Sequence, residues 1–373
     1  MYQPNVRITD NLQHSLYEVE EIIKLLRTIP ILPIVEERMQ REALVETVHY
    51  SARIEGNPLD IRTVKRLLEQ GPSEVPLDRP EQELKNLSNA MDFIRHIADQ
   101  TDVPIDEAVI QQIHAHIVRG IPDQGPPGVY KTKQNAIVSR TTRERIFLPS
   151  SPSDTAKLME ELGTWLSQSP LAFHSILAAG MAHLELVAIH PFNDGNGRVA
   201  RALADLILYR YGYKFRYLFS WVRQVGINMS TYHRKLSEVL GPKYGANVDP
   251  TTWLEYFAES IAKSLSAKRP YLIDMRDMFI KNYNRGAEIG LSKDQVEAWI
   301  FAELFGSVTA GEYLNAKRLS RSTVVKRLKE LAELGLLRIV GKGRGVRYVP
   351  VPVEETVSEE QQLEMKIAEV TTQ

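Results

Sequence analysis

Apolar positions recur three and four residues apart over most of this chain, the spacing of one face of an α-helix. The pattern predicts helices over residues 12–27 and about 34–53, parted by Pro30 and Pro33, then over 59–69, 81–98 and 105–118. In the fourth of these the apolar stripe is Leu84, Leu87, Ala90, Met91 and Ile94. A Pro-rich linker through Pro72, Pro76 and Pro80 separates it from what precedes. From 125 to 152 the pattern changes to Gly, Pro and short β-branched runs, which predicts a hairpin with strands near 135–138 and 145–148. Helical periodicity then resumes over 154–168, 171–189, 197–211, 229–240 and 251–265. A charged helix and linker around 269–284 leads to a compact segment from about 291 to 350 and a polar tail rich in Glu and Thr.

Composition changes this picture little. At 43% hydrophobic and 25% charged, the 373 residues are ordinary for a soluble chain of two or three domains. A formal net charge of -1 excludes a global field favouring nucleic acid or a membrane, so any basic surface must be local. Without cysteine there are no disulfides and no thiolate metal sites. The opening Met-Tyr-Gln-Pro-Asn-Val-Arg has no apolar core of a secretory signal, and a cytoplasmic protein is expected. The run 171–189 approaches membrane-span length, but His174, His183 and Glu185 interrupt it, so a buried core helix is expected instead.

The densest chemistry lies directly after that run, in His190-Pro191-Phe192-Asn193-Asp194-Gly195-Asn196-Gly197-Arg198-Val199-Ala200-Arg201. Pro191 prevents ordinary continuation of the helix, which leaves the His190 imidazole at a helix end beside a turn. Gly195 and Gly197 permit close backbone approach, and Asn196 is a suitable N-cap for the next helix. Such a turn aims N–H groups at an anion, and Arg198 and Arg201, one turn apart, can converge on phosphates. Asp194 suits a phosphate site only with a divalent cation between them, which is how Mg²⁺ is commonly held. Asp-Gly-Asn-Gly alone is an ordinary turn and a lone His more often satisfies a hydrogen bond. The whole constellation points to a Mg²⁺-nucleotide site.

Position by position this stretch resembles the signature of the Fic family of the Fic/Doc (Fido) superfamily, His-Pro-Phe-x-Asp/Glu-Gly-Asn-Gly-Arg-x-x-Arg, with no specified position departing. Glu83 and Asn86 look like the family's early core helix. Pro127-Gly128-Val129-Tyr130 and Phe147-Leu148-Pro149 look like the edges of its target-docking hairpin, and Ala182-His183, Tyr232 and Leu236 also fit. The match covers roughly residues 81 to 260. The resemblance implies a mainly α fold, a helical core with a β-hairpin flap, and transfer of AMP from ATP to a Tyr, Thr or Ser hydroxyl of a protein. By it, His190 is the general base, Asp194 holds Mg²⁺, and Asn193, Gly195, Asn196, Gly197, Arg198, Arg201 and Tyr232 bind the nucleotide. The target chain would dock at the 135–148 hairpin by strand addition.

An earlier stretch, Ser51-Ala52-Arg53-Ile54-Glu55-Gly56-Asn57-Pro58, reads as a helix C-terminus with a left-handed cap at Gly56 or Asn57. A carboxylate there opposes the helix dipole by about 0.3–1 kcal/mol, so Glu55 needs a cation elsewhere. The segment resembles the family's inhibitory motif Ser/Thr-x-x-x-Glu-Gly/Asn. That implies regulatory roles for Ser51 and Glu55, with Glu55 paired to Arg201 so as to block the ATP γ-phosphate. In some relatives the same Glu assists removal of AMP.

Beyond the core, residues 309–337 followed by two strands with a Gly-Lys-Gly-Arg-Gly tip at 341–345 look like a winged helix-turn-helix. Between Tyr313 and Tyr348 ten Lys or Arg face only Glu330 and Glu333, an excess of eight positive charges. Arg321, Ser322, Thr323, Lys326 and Arg327 open its presumed recognition helix, so the module either binds DNA through 309–347, strengthened by a homodimer, or serves as a protein-docking or dimerisation module with solvated charges. The expected domains are an N-terminal helical region (1–80), a catalytic core (81–266), a linker (267–290), the winged helix (291–350) and the tail (351–373). The leading expectation is a self-inhibited protein adenylyltransferase. The alternatives are an AMP-removing or phosphoryl-transferring relative and a nucleotide-sensing transcription regulator.

Overall fold

The computed structural model describes residues 6–70, 76–138, 144–168, 174–245, 248–316 and 320–352. Helices dominate: α1 (Asp10–Thr28), α2 (Pro33–Ile54), α3 (Ile61–Glu69), α4 (Arg79–Asp99), α5 (Glu107–Val118), α6 (Pro152–Gln168), α7 (Ser175–Ile189) and α8 (Asn196–Arg210). They continue as α9 (Trp221–Ile227), α10 (Met229–Leu240), α11 (Thr251–Ser266), α12 (Arg269–Glu288), α13 (Lys293–Phe305), α14 (Ala310–Ala316) and α15 (Arg321–Glu333). Two antiparallel hairpins complete the described fold, β1 (Ile137–Val138) with β2 (Arg145–Phe147) and β3 (Leu337–Val340) with β4 (Arg347–Pro350).

The chain divides into two compact units, Met1–Thr28 with Arg38–Arg269, and Ile29–Glu37 with Pro270–Gln373. The grouping of Ile29–Glu37 with the C-terminal unit is not foreseen in the sequence, where that segment reads only as a connection and the start of a helix. The expected polar tail lies, from residue 353, outside the described residues, as do 171–173 at the expected start of α7.

In the larger unit α7 is the axis. Every residue from Ile176 to Ile189 is buried, so this helix is enclosed on all sides by α6, α8 and α11, while α4 and α5 pack on α8 and α1 packs on α11. Among the described residues no helix is long and apolar enough to cross a membrane. Gly180 lets α11 come close, and the Trp253 indole donates to the Gly180 carbonyl at 2.7 Å. Asn86 fastens α4 to the end of α5 by donating to the carbonyls of Ile117 and Arg119 at 3.0 and 2.7 Å.

A short helix that the periodicity does not reveal, α9, holds α2 in place. Thr47 donates to Ser220 at 2.7 Å, Arg223 pairs with Glu46 at 3.3 Å, and Gly226 lies directly under the Tyr50 ring. A Cβ on Gly226 would meet Tyr50 Cβ and Cδ1 at 2.7 Å. Tyr50 Cβ is fixed to its own backbone and cannot swing clear. We therefore expect Gly226→Ala to lose about 1–2 kcal/mol of stability, overpacking outweighing the better helix propensity of Ala. Urea denaturation checks this, and a variant as stable as the parent would show that α9 does not brace α2.

Candidate active site

The site forms where α7 ends and α8 begins. His190 closes α7 in the left-handed conformation (φ 52°, ψ 59°), its N–H still bonded to the Leu186 carbonyl at 2.9 Å. That sharp turn is clamped from outside. The Lys131 ammonium donates to the Ile189 carbonyl at 3.0 Å, Ser150 donates to the same carbonyl at 2.9 Å, and Asn135 donates to the carbonyls of His190 and Phe192 at 3.1 and 3.0 Å. Sequence reasoning passes over Lys131 and Ser150 and takes Asn135 only as a strand residue. Nothing in local pattern marks residues whose partners lie some 40–60 positions away.

His190 Nδ1 lies 3.3 Å from the Val187 carbonyl, which must be a donated N–H, so Nε2 carries the lone pair. Burial first, and then nearby Lys131, lowers its pKa to about 4, with the Val187 hydrogen bond and, more weakly, Glu55 and Asp194 opposing, so the ring is neutral near pH 7. Lys131 is itself lowered to about 8 by burial.

His114, on α5, holds the turn from inside. It stacks flat on Phe192 with centroids 3.8 Å apart, accepts the Gly128 N–H at Nδ1 (2.9 Å) and so presents Nε2–H to the Asp194 carbonyl at 3.2 Å. Burial lowers its pKa to about 4.

The expected N-cap role of Asn196 is not what is found. Gly195 occupies the cap (φ 79°) with no side-chain cap bond, and Asn196 is the first residue of α8. The Asn196 amide instead brackets Phe192, accepting its N–H at 2.9 Å and donating to its carbonyl at 2.8 Å. A buried Asn four residues after Phe192 fastens the turn. Asp194, just before the cap, accepts the Gly195 N–H at 2.5 Å.

The two arginines have different surroundings. Arg198 is buried, 3.6 Å from Asp194, and its Nε has no partner among the described residues. Arg201 is closely paired: Nε donates to Ser51 Oγ at 2.9 Å, and NH2 donates to the Ser51 carbonyl at 2.9 Å and to Glu55 at 2.8 Å. Tyr232, from α10, stands 3.5 Å from NH1 and 3.0 Å from His183 Nε2. Burial opposes the Arg201 charge, but Glu55 and Tyr232 outweigh it and raise the pKa further.

Glu55 follows the last turn of α2, where Gly56 (φ 93°) reverses the chain and the Asn57 N–H returns to the Ala52 carbonyl at 3.1 Å. Asn57 then donates to Glu83 and to the Pro80 carbonyl on α4, both at 3.0 Å. The Glu55 carboxylate lies at the N-terminus of α8, so close to Gly197 that a Cβ there would be 2.3 Å from Oε1. Its own helix disfavours the charge, and the dipole of α8 with Arg201 supplies the compensation.

Glu55, His190, Asn193, Asp194, Gly197, Arg201 and Tyr232 all border one cavity of about 630 Å³, closed on another side by Ile137, Val138, Ile146 and Phe147 of the hairpin. Gly195 and Asn196 are buried behind the turn, and Ser51 is buried beneath Arg201. The hairpin pairs Ile137 with Phe147 and Val138 with Arg145, shorter than expected, and residues 139–143 lie outside the described residues. Among the described residues no group of three or more His, Asp or Glu is placed to enclose a metal. Asp194 alone, half exposed on the rim, fits an ion whose other ligands are phosphate and water.

Residues 104–208 match the Fic/DOC family. The protein adenylyltransferase Fic of Nematostella vectensis is 29% identical over 214 residues, 56% of this chain and 47% of that protein. That of Aedes aegypti is 28% identical over 217 residues, 57% of this chain and 41% of that protein. The chain thus spans less than half the length of these curated relatives. Among solved structures, a Fic family protein from Desulfovibrio desulfuricans superposes with a TM-score of 0.59 at 22% identity, covering 94% of this chain and 99% of that one. A Fic domain containing signaling protein from Bacteroides thetaiotaomicron gives 0.57 at 24%, covering 69% and 94%. These structures show the fold.

The buried neutral histidines have a consequence for stability. His114 has a folded pKa of about 4 against 6.5 for an ordinary His, so between those values the unfolded chain binds the extra proton. Stability is therefore full above pH 6.5 and falls as the pH drops towards 4, by up to about 3 kcal/mol from this residue. Chemical denaturation across pH 4–7 should show a shallower slope for His114→Gln than for the parent.

Proposed function

We propose that this chain, which carries a Fic/DOC domain, is a protein adenylyltransferase that moves AMP from ATP to a hydroxyl of a protein and is held inactive by Glu55. The observation that carries the reading is the shared cavity, in which a neutral His190 faces the N-terminus of α8 beside Asp194 and Arg201. The acceptor hydroxyl attacks the α-phosphorus, the bond to the bridging oxygen breaks, pyrophosphate leaves, and the hydroxyl proton passes to His190 Nε2. The fixed tautomer supports this, since Nδ1 is committed to Val187. First-turn amides of α8 and the arginines stabilise the phosphates before and during transfer. Mg²⁺, held by Asp194, would supply charge neutralisation on the α and β phosphates.

Inhibition follows from occupancy. Glu55 brings a carboxylate to the place where an anion is best stabilised, and it engages the Arg201 NH2 that a γ-phosphate would need. The target would dock along β1, whose Val138, with Ile146 of β2, is an exposed apolar side chain at the cavity mouth. A second reading has its own support: Glu55 and His190 border the same cavity, so Glu55 could instead orient a water for hydrolytic AMP removal.

Incorporation of label from α-labelled ATP with Mg²⁺, into the protein and a lysate, tests both. Glu55→Gly should raise labelling roughly ten- to hundredfold, the worth of a charged hydrogen bond of about 1.5–3 kcal/mol. His190→Ala in that background should lower it by about 10²–10⁴. No label in any variant, with loss of AMP from a modified substrate, would move the assignment to AMP removal.

A further inference from the structure

The C-terminal unit carries a surface unrelated to the cavity above. α15 buries Val324, Leu328 and Leu331 on one side, against α13 and β3, and exposes Arg321, Ser322, Lys326 and Lys329 on the other. Ser320 caps this helix by accepting the Thr323 N–H at 3.2 Å, so its first turn is ordered. The hairpin β3–β4 adds exposed Arg338 and Lys342, and it is anchored to the unit by paired hydrogen bonds of 2.8 Å between Val308 and Tyr348.

Not every cation belongs to this face. Arg327, expected among the contact residues, turns inward to pair with Asp294, and Arg347 is tied to Ser307 at 3.0 Å and Glu312 at 3.9 Å. The acids of α15, Glu330 and Glu333, lie in its second half, and Glu330 stands 3.8 Å from Lys326. The face is thus polarised, with the cations Arg321, Lys326 and Lys329 preceding the two acids along the helix and others at the hairpin. In a chain of net charge -1, such a concentration marks a polyanion as the complementary partner.

We propose that the exposed face of α15, with the β3–β4 hairpin beside it, binds double-stranded DNA. An α-helix about 10–12 Å across fits the major groove of B-form DNA, about 12 Å wide. The deep, narrow major groove of duplex RNA does not admit one. Seated with its first turns inward, α15 brings Arg321 and Ser322 to base edges, and Lys326 and Lys329 to the flanking phosphates. Arg338 and Lys342 of the hairpin reach the adjoining backbone. The inference is independent of the AMP-transfer reading, which concerns the other unit.

The test is fluorescence anisotropy of the full chain with a labelled 24-base-pair duplex of mixed sequence at 50 and 200 mM salt. Duplex RNA and polyglutamate serve as competitors. With three or more phosphate contacts, affinity should fall at least tens of times over that salt range. Arg321→Ala with Lys326→Ala should weaken binding and flatten the salt slope by about one ion equivalent, from the phosphate contact of Lys326, while Lys263→Ala on α11 should change neither. Both replaced residues are exposed, so melting temperatures should agree with the parent and exclude misfolding. Absence of DNA binding at 50 mM salt, unchanged binding by the double variant, or stronger competition by RNA or polyglutamate would overturn the proposal.

Discussion

The buried guanidinium of Arg201 is the contact on which the larger unit's functional end depends. An unpaired cation in that position would be untenable, and the fold answers with Ser51 from α2, Tyr232 from α10 and Glu55 from beyond α2. One side chain on α8 therefore draws together elements about 150 and 31 residues away. Ser51 contributes both its hydroxyl and its carbonyl, so Arg201 keeps two partners when Glu55 is elsewhere. This asymmetry separates a permanent structural tie from an exchangeable one, and the proposed inhibition uses only the second.

Around this contact, neutral rings and carbonyl clamps hold a turn that would otherwise be strained. A left-handed His190 costs backbone energy of order 1–3 kcal/mol, and donors from Lys131, Ser150 and Asn135 secure the surrounding carbonyls. His114 and Asn196 do the same from the interior. The geometry of the proposed base thus comes less from the twelve-residue stretch itself than from side chains distributed over α5 and the loops before and after the hairpin.

This distribution explains what could be read from the sequence. The helices of the core are legible because their apolar faces repeat locally, and the run of α7, apolar but for Ser175, His183 and Glu185, announces a helix enclosed on every side. The site's main residues are legible because a helix end and a helix start place them within one turn. The N-cap expectation for Asn196 fails because residue preference ignores the Phe192 backbone that competes for the amide. Lys131, Ser150 and His114 escape notice because their partners are distant backbone atoms, which no periodicity encodes. In the C-terminal unit charge counting found the basic face but could not separate Arg327, neutralised by Asp294, from its exposed neighbours.

The bracing of α2 against α9 limits how the proposed inhibition can be lifted. Glu46, Thr47 and Tyr50 are each fixed to α9, and Ser51 is held by Arg201, while Asn57 is fastened to α4 on the far side. Only Ala52 to Gly56 lies between these anchors. Any movement of such a latch is then confined to a single helical turn, and the rest of α2 serves as a fixed mount. Within that turn Ala52 and Ile54 are themselves core side chains, so a latch of this kind is released at the Glu55 carboxylate and the glycine turn after it while its mount stays packed.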